Sequence, residues 1–138
     1  MHYSECLCFK LTVMSKKLAR IYRQKLQGFN LTNSQFYILS ALYEKDGVSI
    51  GTLGKKVRLD NATLTGIIDR LERDGYIKRT ASVDDRREIN IYLTPKGAGI
   101  KGKIKKVHIE SEKQILGIVA QAEVNAINSA YVKINNAC

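Results

Sequence analysis

Apolar residues recur three and four positions apart at Leu7, Leu11, Met14, Leu18 and Ile21, and the series runs on to Lys25 or Leu26. That spacing lines one side of a helix over about 5–27, with Gly28 as its stop, while Lys16, Lys17, Arg20 and Arg23 make the other flank basic. Thr32-Asn33-Ser34-Gln35 has the form of a capping box, and Leu31 and Phe36 bracket it as a hydrophobic staple. A second helix therefore starts at Thr32 and stops near Gly47. Ser49 caps a short third helix over about 49–57, with Ile50, Leu53 and Val57 facing inward. The chain turns through Val57-Arg58-Leu59 into a fourth helix, capped by Asp60 and ended by Gly75, whose buried stripe is Leu64, Ile67, Ile68 and Leu71. Its outward face holds Asn61, Thr63, Thr65, Asp69, Arg70 and Arg73.

The period then changes from helical to alternating. Ile89, Ile91 and Leu93 interleave with Glu88, Asn90 and Tyr92, which marks a half-buried strand, and Tyr76 to Ala81 is its antiparallel mate. Asp84-Asp85-Arg86-Arg87 lies at the tip between them. Thr94-Pro95 opens a fifth helix by its N-cap and first-turn proline. Ile100, Ile104, Val107, Ile115 and Ile118 keep one face of it apolar, and Gly97, Gly99 and Gly102 each disfavour its first turns by roughly 1 kcal/mol relative to alanine. After a break near Ala120, Ile127, Ala130, Tyr131 and Ile134 mark a last helix.

The pattern predicts a mainly α protein of about six helices with a small β-hairpin wing: a winged helix-turn-helix over 31–95, and a helical part made of 1–30 and 96–138. The first and last two helices carry more apolar face than the winged core can cover, so a second copy is expected to cover it, giving a homodimer joined through the helical part.

Composition narrows the function. The 138 residues, 44% hydrophobic, suffice for an ordinary core. With 23 Lys and Arg against 13 Asp and Glu, the formal charge is +10, which suits a polyanionic partner. Duplex DNA, RNA and an anionic membrane surface all meet that description on charge alone. No run of 18 apolar residues occurs and the basic amino-terminal stretch lacks a signal-peptide pattern, so a cytoplasmic protein without a membrane partner is expected. Three cysteines do not make a secreted disulfide framework.

The fourth helix and the wing select DNA from those polyanions. A helix entering the major groove meets base edges with its amino-terminal residues. Asn61 suits adenine, Ala62 and the methyl groups of Thr63 and Thr65 suit thymine methyls, and Arg70 lies far enough along to reach phosphate or guanine. At the wing tip, Arg86 and Arg87 suit the narrow minor groove, and Asp85 is placed to hold the Arg87 guanidinium. Lys55, Lys56, Arg58, Lys78, Arg79 and the basic flank of the first helix are candidates for phosphate contact or plain solvation. Lys101, Lys103, Lys105 and Lys106 read as surface.

Leu59-Asp60-Asn61-Ala62-Thr63-Leu64-Thr65, Arg70-Leu71-Glu72-Arg73-Asp74-Gly75-Tyr76-Ile77, Asp85-Arg86-Arg87 and Leu93-Thr94-Pro95-Lys96-Gly97 together resemble the reading helix, wing and re-entry helix of the MarR family of winged-helix transcription regulators. The resemblance spans about 5–136. It implies a homodimer on a pseudo-palindromic duplex operator, usually repressing transcription until a signal arrives, with no enzymatic activity and no cofactor. Leu7-Cys8-Phe9 is similar to the reactive-cysteine segment of the family's organic-hydroperoxide sensors, and Tyr22 falls where those carry a thiol-supporting tyrosine. Their two partner tyrosines correspond to Thr12 and Asn33 here.

Cys8 and Tyr22 lie fourteen residues apart, roughly 21 Å along one helix, so they meet only across a dimer. Oxidation of Cys8 to a sulfenic acid and then to a disulfide with Cys6 or Cys138 is one candidate switch; a small aromatic ligand between the helical and winged parts is the other. On a regular helix Cys6 and Cys8 point to nearly opposite faces, so a bridge between them needs a frayed end. The Cys-x-Cys pair also suits a soft metal ion, but no spacing gathers His2, His108 or Cys138 to it, and no metal site is expected. A thiol peroxidase built on Cys8 lacks a second polar constellation. An architectural DNA binder with little base preference is the remaining alternative.

Overall fold

The structure, a computed structural model, describes residues 2–138. A 3-10 turn, Tyr3–Glu5, leads into α1 (Leu7–Leu26), and a second, Gln27–Phe29, leads out of it. Then follow α2 (Asn33–Glu44), β1 (Val48–Ser49), α3 (Ile50–Val57), α4 (Asn61–Arg73), β2 (Ile77–Ala81), β3 (Ile89–Leu93), α5 (Pro95–Gly99), α6 (Lys101–Leu116) and α7 (Gln121–Ala137). The predicted mainly α fold with a winged helix-turn-helix is the one observed.

Local capping chemistry sets most boundaries. Thr32 and Gln35 exchange the two hydrogen bonds of the capping box, at 3.2 and 2.8 Å. Ser49, Asp60 and Thr94 each accept a main-chain amide three residues on, at 3.1, 2.9 and 3.1 Å. Gly75, at φ +79°, ends α4 in the left-handed region, as its position predicts.

Four boundaries differ from expectation. Gly28 does not stop α1; the chain tightens into the 3-10 turn and reverses at Asn30, whose side chain tolerates φ 54°. Cys6 is the extended residue capping α1 and not part of the helix. Val48–Ser49 forms a third strand, pairing antiparallel with β3 in the sheet order β1-β3-β2. The expected fifth helix is two, α5 and α6, because Ile100 leaves helical geometry at ψ 1°. The described residues thus hold seven α-helices where six were expected.

The core lies where α2, α3 and α4 pack over the sheet. Ile38, Leu39 and Leu42 of α2, Leu53 of α3, Leu64, Ile68 and Leu71 of α4, and Ile77 and Ile91 of the strands are buried together. Leu26, Ile104 and Val107 extend this core to α1 and α6. In contrast, α7 has no buried residue, and Leu116, Ile118, Ile127, Tyr131 and Ile134 stand exposed. A largely apolar groove of about 580 Å³ separates α1 from α7 and the end of α6, lined by Val13, Leu18, Ile115, Ile118, Val124 and Ile127 among others. Among the described residues, no helix is long and apolar enough to cross a membrane.

Candidate nucleic-acid interface

The stripe of Leu64, Ile68 and Leu71 fixes which way α4 faces. With that stripe inward, Asn61, Ala62, Thr63, Thr65 and Arg70 are all exposed. Asp60 accepts the Thr63 amide at 2.9 Å through one oxygen and the Thr63 hydroxyl at 2.7 Å through the other. These bonds, the main-chain one foremost, hold the Asp60 carboxyl below its ordinary pKa. The Thr65 hydroxyl donates to Asn61 O at 2.8 Å. Both threonine hydroxyl protons are therefore engaged within the helix, so the two side chains present methyl groups and acceptor lone pairs outward. That surface is matched to thymine methyls and donor groups on base edges.

Gly66 was missed by sequence reasoning. It is exposed one turn after Ala62, and a side chain there would meet nothing within 4 Å. Its signal was the four-residue spacing from Ala62 on the side opposite the buried stripe; the two make the middle of the outward face smooth.

The wing tip is ordered by its own main chain. Ser82 N donates to Glu88 O at 2.8 Å, and Glu88 N to Asp85 O at 2.9 Å, which closes the loop across its base. The predicted partner of Asp85 is corrected: its carboxylate accepts the main-chain amide of Arg87 at 2.9 Å, an Asx turn, and makes no ion pair with the guanidinium. The short Asp85 side chain closes its own turn, and the donor it meets there is the main-chain amide two residues on. Arg86 and Arg87 are left exposed and unpaired at the tip.

Two of the cations that were candidates for phosphate contact or plain solvation are engaged within the chain. Lys56 Nζ lies 2.5 Å from Glu44 Oε2. Arg79 binds both Asp69 and Glu72 of α4. Burial alone would lower the Arg79 pKa, but its hydrogen bonds to the two carboxylates outweigh that and hold it above the ordinary arginine value. Arg58 is exposed in the turn, at φ 54°, a left-handed conformation that disfavours a non-glycine residue by roughly 1 kcal/mol.

The redox candidates do not converge within the chain. Cys6, Cys8 and Cys138 are all exposed thiols. Cys8 borders a shallow outer groove of α1 with Leu11, Thr12 and Ser15. Tyr22 is directed elsewhere: its hydroxyl donates to Glu112 Oε1 at 2.5 Å, so the Tyr22 hydroxyl oxygen accepts from His108 Nδ1–H at 3.0 Å. Burial, and next the Glu112 hydrogen bond, push the phenol well above its usual pKa, so it stays a hydroxyl and pins α1 to α6. Thr12 bonds Cys8 O, and Asn33 bonds Ala19 O, each at 2.8 Å. Beside the Tyr22 network, a cleft of about 550 Å³ runs between α2 and α6, lined by Phe36, Ser40, Tyr43, Glu44, Lys101, Ile104, Lys105 and His108. Burial raises the Tyr43 phenol to about 12, and its hydroxyl donates to Gly97 O at 2.8 Å. Among the described residues, no three His, Cys, Asp or Glu side chains gather as a metal site.

Known proteins share this architecture. The chain is 32% identical over 135 residues to the HTH-type transcriptional regulator SarZ of Staphylococcus haemolyticus, which covers 98% of this chain and 91% of that one. It is 38% identical over 98 residues to the HTH-type transcriptional regulator TtmR of Methylorubrum extorquens, a match of 71% of this chain that spans only 50% of that relative's length. Among solved structures, Bordetella bronchiseptica BpsR, described for regulation of its DNA binding by 6-hydroxynicotinic acid, superposes with a TM-score of 0.90 at 26% identity, covering 98% of this chain and 96% of its own. Reduced AbfR bound to DNA superposes with a TM-score of 0.77 at 27% identity, covering 94% and 88%. Residues 31–89, from before α2 to the start of β3, match the model of the MarR family. The chain belongs to the MarR family of transcriptional regulators.

Proposed function

We propose that the protein is a homodimeric repressor that grips a pseudo-palindromic duplex operator and lets go on a chemical signal. The observation that carries this reading is the pairing of two exposed surfaces on one packed unit: the small, polar amino-terminal face of α4 and the unpaired Arg86 and Arg87 of the wing. One matches the major groove, the other the minor groove beside it. Asn61, Ala62, Thr63, Thr65 and Arg70 meet bases or adjacent phosphates; Asp85 shapes the loop that presents the two arginines. The DNA-bound AbfR structure supports the same use of the fold.

Replacing Arg87 with alanine is expected to weaken operator binding by about 1–3 kcal/mol while leaving the oligomeric state unchanged. Binding titrations at physiological salt test this, and an unaltered Kd removes the wing from the mechanism.

The apolar surface of α7 and the groove beside α1, which the chain's own core leaves open, support the dimer. On this reading, residues 1–30 and 96–138 form the dimerisation part and 31–95 the DNA-binding part.

For release, the α2–α6 cleft suits a small aromatic acid: Phe36 and Tyr43 offer ring faces, Lys101 and Lys105 a positive rim, and the Glu44 carboxylate that also lines it is paired with Lys56. BpsR, regulated by 6-hydroxynicotinic acid, is similar in fold over nearly the whole chain. Oxidation is the second reading, favoured by the exposure of Cys8 near the start of α1. Tyr22 lends it no support within the chain, being held by Glu112 and His108. Cys8→Ser is expected to bind operator as the wild type does and to resist release by cumene hydroperoxide. Equal release of both proteins in a fluorescence-anisotropy assay eliminates the thiol and leaves the cleft.

A further inference from the structure

We propose that Arg79 is a positioning residue that aims the wing, by locking β2 to α4 so that Arg86 and Arg87 stand at a fixed offset from Asn61–Thr65. The proposal rests on the reading of α4 and the wing as the DNA-facing surfaces. Arg79 sits in the middle of β2, opposite Ile91 of β3, and β2 is a free edge of the sheet. One guanidinium nitrogen bonds Glu72 and another bonds Asp69. These acids are three residues apart and so neighbours on the surface of α4. The second carboxylate oxygen of Glu72 accepts the Arg79 main-chain amide at 3.1 Å. An edge-strand amide is thereby paired with the helix instead of being left open.

Three donors from one residue, received by two side chains, fix orientation as well as distance. A planar guanidinium can do this; the point charge of a lysine cannot. Only 22% of the Arg79 side chain is exposed, against 72% for Arg73, so the group is withdrawn from any phosphate. Beyond Arg79 the path to the tip is short and closed. Two residues later β2 ends at Ala81, and Ser82 is tied to Glu88 across the base of the loop. The position of Arg87 is thus inherited from α4 through Arg79.

A double-mutant cycle on operator affinity separates aiming from bracing. Arg79→Ala and Arg87→Ala are each expected to weaken binding roughly tenfold, and the double variant to lie within about twofold of Arg87→Ala, because Arg86 alone is then left on the wing for Arg79 to aim. Arg79→Lys is expected to behave like Arg79→Ala. If Arg79→Ala fails to fold, Glu72→Gln runs the same cycle, since it keeps an acceptor for the amide and removes the charge; roughly a threefold loss, absent in the Arg87→Ala background, is expected. Effects that multiply, or a lowered Tm with unchanged operator affinity, make Arg79 a structural brace and overturn the proposal. If Arg87→Ala alone leaves affinity unchanged, the wing's role in DNA binding has failed, and aiming fails with it.

Discussion

Gly97→Ala is expected to destabilise the fold by about 3 kcal/mol or more, among the largest effects available to a single methyl group. A Cβ at Gly97 would stand 2.0 Å from Tyr76 O and 3.3 Å from Leu93 Cδ2. Neither neighbour can yield easily. Tyr76 O accepts the Thr94 amide at 3.1 Å, and the Thr94 hydroxyl donates to Gly75 O at 2.5 Å, so the end of α4 and the start of α5 are stitched together at this point. Relief would require α5 to lift away, which would also remove the Tyr43 hydroxyl's acceptor, Gly97 O. At Gly99 and Gly102 an added Cβ meets nothing within 4 Å. Gly102→Ala is expected to stabilise α6 by up to roughly 1 kcal/mol. Thermal unfolding at one protein concentration should show a fall of roughly 10 °C for Gly97→Ala and a small rise for Gly102→Ala. Equal shifts for the two variants would mean that the approach to Tyr76 O is not tight.

Removal of residues 120–138 is expected to abolish dimerisation and to weaken operator binding at least roughly a hundredfold, while the winged core stays folded. The two losses are linked because a dimer presents the second half-site at high effective concentration, and a monomer forfeits it. The core should survive because α7 buries none of its residues against the rest of the chain. Sedimentation and far-UV circular dichroism read the two halves of this expectation separately. A stable dimer after truncation would move the interface elsewhere, to α1 and α6 alone.

How much of this was legible in the sequence depends on the range of the interaction. Caps at Thr32, Ser49, Asp60 and Thr94 were readable because donor and acceptor lie within three residues. The buried stripe of α4, and hence its outward face, was readable because helical periodicity is local. Strand β1 was not: its two residues extend only because β3, some forty positions on, offers a partner. Gly97 looked like one of three similar helix-weakening glycines, and only the carbonyl of Tyr76 distinguishes it. Tyr22 illustrates the same limit, since His108 and Glu112 reach it from 86 and 90 residues away.

The role of Arg79 was illegible in the sequence for a different reason. An arginine on an edge strand next to a wing has the sequence signature of a phosphate contact, and the two acids that claim it are visible only once α4 and β2 pack. Net charge was also an indirect guide. Residues 31–94 hold ten Lys or Arg and nine Asp or Glu, so nearly all of the +10 lies on the helical part and not on the winged unit. The placement of Arg86, Arg87 and the α4 face, and not the total charge, carries the DNA reading.

The central claim is that α4 enters the major groove twice, once from each copy, with the wings in the minor groove alongside. Dimethyl sulfate protection on a duplex selected from a random pool by the full-length protein tests it most directly, because the reagent methylates guanine N7 in the major groove and adenine N3 in the minor groove. The account predicts N7 protection in two symmetric half-sites about one helical turn apart, with N3 protection flanking them that disappears in Arg87→Ala. Protection confined to one groove, a single unsymmetric footprint, or recovery of no preferred sequence from the pool would contradict it.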